Sequence, residues 1–471
     1  MSYELLKNLL TKTLVTVGLV ATLVSPAAAQ LSAAPERSRL LNELQVLLSP
    51  RPGGQDVLVK LRIHSGGAFD LAGKAGTMAL LGDLLFPDPN TREYFTDEMQ
   101  GRLAVTTDYD SITITMQGRA QEFERIIEIL RNALVTTPLT PENVLKAREG
   151  RTKIVKETSV LPAAIADRAI AARLFGDFPY GRPYSGTVES LERVERGDVM
   201  QARERFLNPN NSTLVIVGDI QPNRARRTLR QLLGIWRKSE RVIPSTFKQP
   251  SLPDSRTLLI NGPADQSAEI RLAMRGFSRS DPDATAAVIL AGIARQRWEK
   301  LLPELARSPV FVRQDAFAMP GMFVLGATVE NLLAGKALAS AREVMKSLAS
   351  TAVTPAELEQ ARNEMAAAAM KQRTRTDGLA DAWLDIEAYK LPSIEEQTRA
   401  LNSVSADDLR RVAARLVDEK GIATVVVGNS ELVKAQLEQL GKVELMGEME
   451  PKPEAKPTPS TVAPQTKPSK P

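Results

Sequence analysis

The stretches LERVERGDVMQARERFLNPNNSTLVIVG (residues 191–218) and LNSVSADDLRRVAARLVDEKGIATVVVG (residues 401–428) align without a gap, 210 positions apart. Leu191, Val194, Asp198, Arg205, Val215, Val217 and Gly218 recur as Leu401, Val404, Asp408, Arg415, Val425, Val427 and Gly428. Each copy reads as an amphipathic helix with acidic residues at its start (Gly197 to Phe206, Ala406 to Leu416), a polar turn, and an apolar strand (Thr213 to Val217, Ala423 to Val427) that ends on glycine. A further helix follows each strand, Asn223 to Leu233 in one copy and Ser430 to Leu440 in the other, and Trp236 is a candidate packing anchor.

Working outward, the starts of the two halves also correspond. Leu58 to Ile63 and Ile270 to Met274 read as strands, each followed by an apolar helix, Gly76 to Leu85 and Asp283 to Ala294. Strands at Ser111 to Met116 and Met322 to Ala327 come next, then helices at Phe123 to Leu134 and Leu338 to Ser347. A repeat of this size is a domain rather than a solenoid unit, since stacking repeats run to roughly 20–50 residues. The expected class is α+β: two homologous α/β lobes, each a mixed, mainly antiparallel sheet packed against helices on one face, with a cleft between the lobes. The expected boundaries are a first lobe over residues 30–236, a linker over 237–255 that carries Pro244, Pro250 and Pro253, and a second lobe over 256–445.

The ends are of another kind. Lys7 and Lys12, an apolar run from Thr13 to Val24, and Ala27, Ala28 and Ala29 form a secretory signal pattern over residues 1–29, cut near Gln30. The run is shorter than the ~20 apolar residues of a bilayer-crossing helix, so no permanent membrane span is expected after cleavage. Export to the periplasm or outside the cell follows. Residues 446–471 form a Pro- and Lys-rich tail with too little apolar surface to offset the entropy of ordering it.

Composition excludes several chemistries. With no cysteine, disulfides, thiol nucleophiles and thiolate metal sites are ruled out. His64 is the one histidine, beside Ser65, Gly66 and Gly67 at a strand end, where a hydrogen-bonded structural role outweighs catalysis. A two-histidine zinc site cannot be assembled from it, and no serine lies in a nucleophile-elbow context. Gly66, Gly67, Gly73 and Gly76 match neither the dinucleotide nor the phosphate-loop signature. A net charge of +5, spread among interleaved acids and bases without an aromatic-basic platform, gives no case for nucleic acid.

The order and spacing of GTMALLGDLLF (76–86), FPYGRPYSGT (178–187), the run from Asn208 to Asp219 and GPADQS (262–267), on top of the duplication, resemble the insulinase/pitrilysin (M16) metallopeptidase family over Leu41 to Leu445. The resemblance implies two M16-type lobes. Active relatives carry His-x-x-Glu-His on the first helix of the first lobe, where the histidines hold zinc and the glutamate prepares a water. In this register Ala79 and Asp83 stand at the histidines and Gly82 at the glutamate, leaving degenerate zinc-motif positions. Glu149 falls near the family's additional glutamate ligand. No catalytic residue, metal ligand or cofactor is assigned to this chain, and zinc is expected in an active partner. Degenerate family members in paired complexes carry a substrate-ordering Arg and Tyr in the second lobe; Pro303 and Val310 fall at those places here, with Arg307 and Phe311 as displaced candidate substrate contacts. The reading is a non-catalytic subunit that pairs with an active M16 metallopeptidase chain and shares its peptide substrate. Pairing with a second copy, a non-enzymatic envelope scaffold, and a peptidase using an unrecognised carboxylate site stay open beside it.

Overall fold

The computed structural model describes residues 34–241, 243, 247–262, 267–304, 310–417 and 419–446. The signal segment, the tail beyond Met446 and Arg307 lie outside the described residues. The first half begins β1 (Glu36–Arg39), β2 (Gln45–Pro50), β3 (Asp56–Ile63), α1 (Thr77–Asp83), α2 (Asn90–Asp97), β4 (Arg102–Thr107), β5 (Ile112–Arg119) and α3 (Phe123–Arg131). Two long helices follow, α4 (Pro141–Ser159) and α5 (Pro162–Phe175), then α6 (Val188–Glu192), α7 (Arg196–Phe206), β6 (Ser212–Gly218) and α8 (Pro222–Leu233). The second half repeats the order: β7 (Thr257–Asn261), β8 (Ser267–Arg275), α9 (Ala284–Leu301), β9 (Val310–Asp315), β10 (Met322–Glu330), α10 (Ala334–Ser350), α11 (Pro355–Thr374) and α12 (Thr376–Tyr389). It closes with α13 (Ile394–Ser403), α14 (Ala406–Leu416), β11 (Ala423–Gly428), α15 (Ser430–Glu438) and β12 (Val443–Met446).

Equivalent helices start on equivalent chemistry. Glu195 and Asp198 form a capping box at α7, and Ser405 and Asp408 form one at α14. Thr140 and Thr354 each accept a hydrogen bond from the third residue of α4 and α11, with Pro141 and Pro355 at the first helical position. Each lobe holds a six-stranded mixed sheet, ordered β1-β2-β6-β3-β5-β4 and β12-β7-β11-β8-β10-β9. Five strands correspond one to one. The outer strand does not: β1 runs antiparallel to β2, whereas β12 runs parallel to β7.

One face of each sheet carries the lobe's own core. Val57, Val59, Leu61 and Ile63 on β3 meet Ile126, Ile127 and Leu130 of α3 and Leu229 of α8; Ile270, Leu272 and Met274 on β8 meet Ile289, Ile293 and Trp298 of α9. Trp236 is buried there and donates its indole N–H to the Leu207 carbonyl at 3.2 Å.

The other face departs from the one-sided expectation, because it is covered by a helix from the opposite lobe. Helix α12 lays Leu379, Ala380, Trp383 and Leu384 on Leu47, Leu58, Val215 and Val217 of the first sheet. Helix α5 lays Ala166, Ile170 and Leu174 on Ala273, Val324, Ala423, Val425 and Val427 of the second. Successive side chains of a strand point to opposite faces, so the apolar residues on this face need a cover as well. The seam between the lobes is therefore packed where a cleft was expected.

The exchange carries charge in register. Lys60 pairs opposite Val215 in the first sheet, and Arg271 opposite Val425 in the second. Both point at the exchanged helix. Lys60 reaches Asp381 at 2.7 Å and Asp377 at 2.8 Å on α12, and Arg271 reaches Asp167 at 2.6 Å on α5. Asp381 and Asp167 are each the sixth residue of their helix. Arg62 continues the first ladder to Asp385 at 2.5 Å, one helical turn beyond Asp381.

Candidate functional site

Helix α1 carries Ala79, Gly82 and Asp83, the positions read from the sequence as a degenerate motif, and its position is closely determined. The buried Asp70 carboxylate accepts the backbone N–H of Gly76 at 2.7 Å and of Met78 at 2.9 Å, serving the free donors at the start of the helix. Gly76 has φ +95°, and a Cβ on it would lie 3.0 Å from the Cα of Gly186 and 3.1 Å from the Ser185 carbonyl. Ser190 adds a hydroxyl bond to the Ala75 carbonyl at 2.8 Å. The 178–187 segment that carried part of the family resemblance is thus the buttress of α1. The glycines before the helix are likewise close-packed, Gly66 against the Asp108–Ser111 backbone and Gly67 against Tyr184.

The motif positions face protein. Ala79 is buried at 1% exposure. A Cβ on Gly82 would lie 2.8 Å from Thr107 Oγ1 and 3.4 Å from Val105 Cγ1, so α1 presses directly on β4 with no room for a glutamate side chain. Asp83 is engaged by Arg151 of α4, whose Nε and Nη2 donate to its two carboxylate oxygens at 2.6 and 2.7 Å. Arg151 lies seven residues after buried Val144 and four before buried Val155, on the face of α4 turned to α1; Glu149 is exposed. These side chains do not fit zinc: both imidazoles are absent, and the one carboxylate on the motif is bound bidentately by a guanidinium whose charge opposes a cation. Among the described residues, no group of three or more His, Cys, Asp or Glu side chains is placed to hold a metal ion.

His64 is held as a neutral ring. It hydrogen-bonds Thr213 Oγ1 at 2.9 Å through Nε2, and burial, reinforced by Arg62 and Lys390, pushes its pKa down from 6.5 to about 4. Asp70 shifts the other way, pushed up to about 7 by burial against its backbone hydrogen bonds. Below 6.5 the unfolded chain takes up a proton on His64 that the folded chain refuses, so the stability from the neutral ring is present above 6.5 and lost as pH falls through about 4. Asp70 works in the opposite direction between about 7 and 3.8, because its folded carboxyl takes the proton first. Wild type minus His64→Gln separates the two: the difference in unfolding free energy is expected to move by about 3 kcal/mol against wild type between neutral pH and pH ~4 in urea titrations. A flat difference would show that the ring protonates freely in the fold.

Of the second-lobe candidates, Phe311 is a packing residue. Its ring lies on Gly326, with the Arg271 and Arg313 guanidiniums 5.0 and 4.5 Å from its centroid. Pro303 is exposed and Val310 packs against the second-lobe core. Sequence reading missed Arg151, Lys60 and Arg271. The first was visible as a cation on the Val144/Val155 stripe, the others as charges set among the apolar residues of strands.

Beside α1, β4 is an edge strand paired with β5 alone, and its residues Leu103 to Thr107 carry no charge and no proline. Such an edge offers main-chain donors and acceptors to an extended chain. No helix among the described residues is long and apolar enough to cross a membrane.

Residues 193–365 match the family model described as the peptidase M16 inactive domain. An uncharacterized zinc protease of Mycobacterium tuberculosis is 23% identical over 421 residues, covering 85% of this chain and 95% of its own length. The crystal structure of a peptidase M16 inactive domain from Pseudomonas fluorescens superposes with a TM-score of 0.76 at 15% identity, over 84% of this chain and 98% of that one. The first half of the periplasmic protease PqqL from Escherichia coli gives 0.68 at 14% identity, over 86% of this chain and 94% of that half, and this chain spans 48% of the whole PqqL structure. Its duplicated lobes and a similarity that runs along most of the chain liken it to the M16 peptidases, with the family model itself matching residues 193–365.

Proposed function

We propose that this chain is an exported, non-catalytic M16 subunit that pairs with a zinc-bearing relative and helps form its peptide chamber. One observation carries the reading: α1 keeps its supports, yet its motif positions are filled by Ala79, by a glycine pressed on β4, and by Asp83 bound to Arg151. A helix so firmly placed, with a site so fully closed to metal, suits a subunit that contributes walls and the β4 edge while another chain supplies zinc. The likeness of its fold to the first half of PqqL is consistent with this reading. The signal pattern at residues 1–29, together with the periplasmic description of PqqL, supports export.

Co-expression with a zinc-bearing M16 relative from the same cell, followed by native purification, tests the proposal. The expected result is a mixed complex whose peptide hydrolysis is abolished by chelation or by removing the relative's motif, while this chain alone is inert. A purified chain that stays partner-free, or one that cleaves peptides by itself in the presence of chelator, would overturn it.

A further inference from the structure

The turn between β4 and β5 reaches into the other lobe. Asp108 holds the turn by accepting the N–H groups of Asp110 and Ser111 at 2.8 and 2.7 Å, which leaves the Asp110 side chain to other partners. Asp110 Oδ1 accepts the Tyr180 hydroxyl at 3.0 Å; Oδ2 accepts the hydroxyl of Tyr389, the last residue of α12, at 3.0 Å and the N–H of Ala318, in the β9–β10 turn, at 2.7 Å. Tyr180 in turn accepts the N–H of Met319 at 3.1 Å. One carboxylate therefore joins four segments, two from each half of the chain.

Aromatic rings close over this point. Phe317 lies tilted 4.7 Å from Tyr180 and edge-on 5.2 Å from Tyr109, Tyr109 lies 5.0 Å from Tyr180, and Arg279 covers Tyr389 at 5.3 Å. Hydrogen bonds to an ionised carboxylate are the strong kind, and three on one half-buried group exceed what local turn geometry requires. Nothing in the β4–β5 hairpin itself calls for them.

We propose that Asp110 is a latch that holds the two lobes in one fixed relation, so that the chain works as a single rigid body and its seam does not open. The latch lies three residues beyond the end of β4, so it also fixes the direction of the edge strand relative to the second lobe. It is a property of the chain alone and stands or falls independently of pairing with a partner.

Hydrogen exchange on the full chain tests it. In Asp110→Ala, exchange of the Ala318 and Met319 amides is expected to speed up by about tenfold or more, while amides of β6 and β11 keep their protection. Asp110→Asn, which keeps an acceptor, should lie between. Unchanged protection at residues 316–320 would overturn the latch. If Asp110→Ala fails to fold, Tyr389→Phe removes a single hydroxyl from the same carboxylate and is read the same way: faster exchange at 316–320 supports the latch, and none overturns it.

Discussion

Arg271→Ala is expected to destabilise the chain by about 3–5 kcal/mol, the range for breaking a buried charge pair by removing one partner. The guanidinium is 2% exposed and gives Nε to Asp167 at 2.6 Å, and Nη1 to Glu269 at 2.9 Å and to the Ile270 carbonyl at 3.0 Å. Asp167 is near enough to solvent to rehydrate when the arginine goes. Glu269 is not. It is 6% exposed, and its one other side-chain partner among the described residues is the Thr328 hydroxyl at 2.8 Å, so the larger part of the loss comes from leaving that carboxylate charged in the interior. Urea unfolding of the whole chain measures it. Replacing Arg271 with Met and Glu269 with Gln together should recover most of the stability, because the stranded charge is gone; a cost below about 1 kcal/mol for the single change would mean that the pair is dispensable.

Lys60→Ala, the equivalent change in the first lobe, should cost less, about 2–3 kcal/mol. Lys60 is as buried as Arg271, but its acids are better supplied. Asp377 keeps Arg102 at 2.9 Å and Asp381 keeps Arg62 at 3.2 Å. The pH dependence distinguishes the ladder from simple loss of packing. Burial raises the Asp377 pKa, but its bonds and charge contacts with Lys60 and Arg102 outweigh that and hold it below its usual 3.8. A depressed carboxylate contributes stability above its unfolded pKa and loses it as pH falls through the folded one, so the gap between wild type and Lys60→Ala should narrow below pH ~4. A gap of constant width down to acid pH would assign the loss to packing.

The order of elements was readable from the sequence because repetition and periodicity are local. The strand read at Thr213 to Val217 became Ser212–Gly218, and the helix read at Ala406 to Leu416 kept those ends. Helix α9 runs on to Leu301, past the expected Ala294, because Gln296 and Trp298 continue its buried face. The reciprocal exchange was not readable. Period-two alternation says that Leu58 and Val215 need a cover, but nothing in a strand says that the cover is Trp383 from the other lobe. The single-faced sheet and the interlobe cleft failed for the same reason. On α1, the residue types at positions 79, 82 and 83 were legible in the sequence. Their partners were not, since Arg151 meets Asp83 only through the packing of α4 on α1.

The exchange also sets an order for making the molecule. The strands of the first sheet are all present once residue 218 has been synthesised, yet the face bearing Leu47, Leu58, Val215 and Val217 has no cover until residues 376–389 exist. Up to that point the chain carries an open apolar surface and two buried-type cations, Lys60 and Arg62, without their acids. The amino-terminal half can build its own core on one face of the sheet but cannot cover the other. The first sheet is therefore completed on both faces only by a segment from near the other end of the chain.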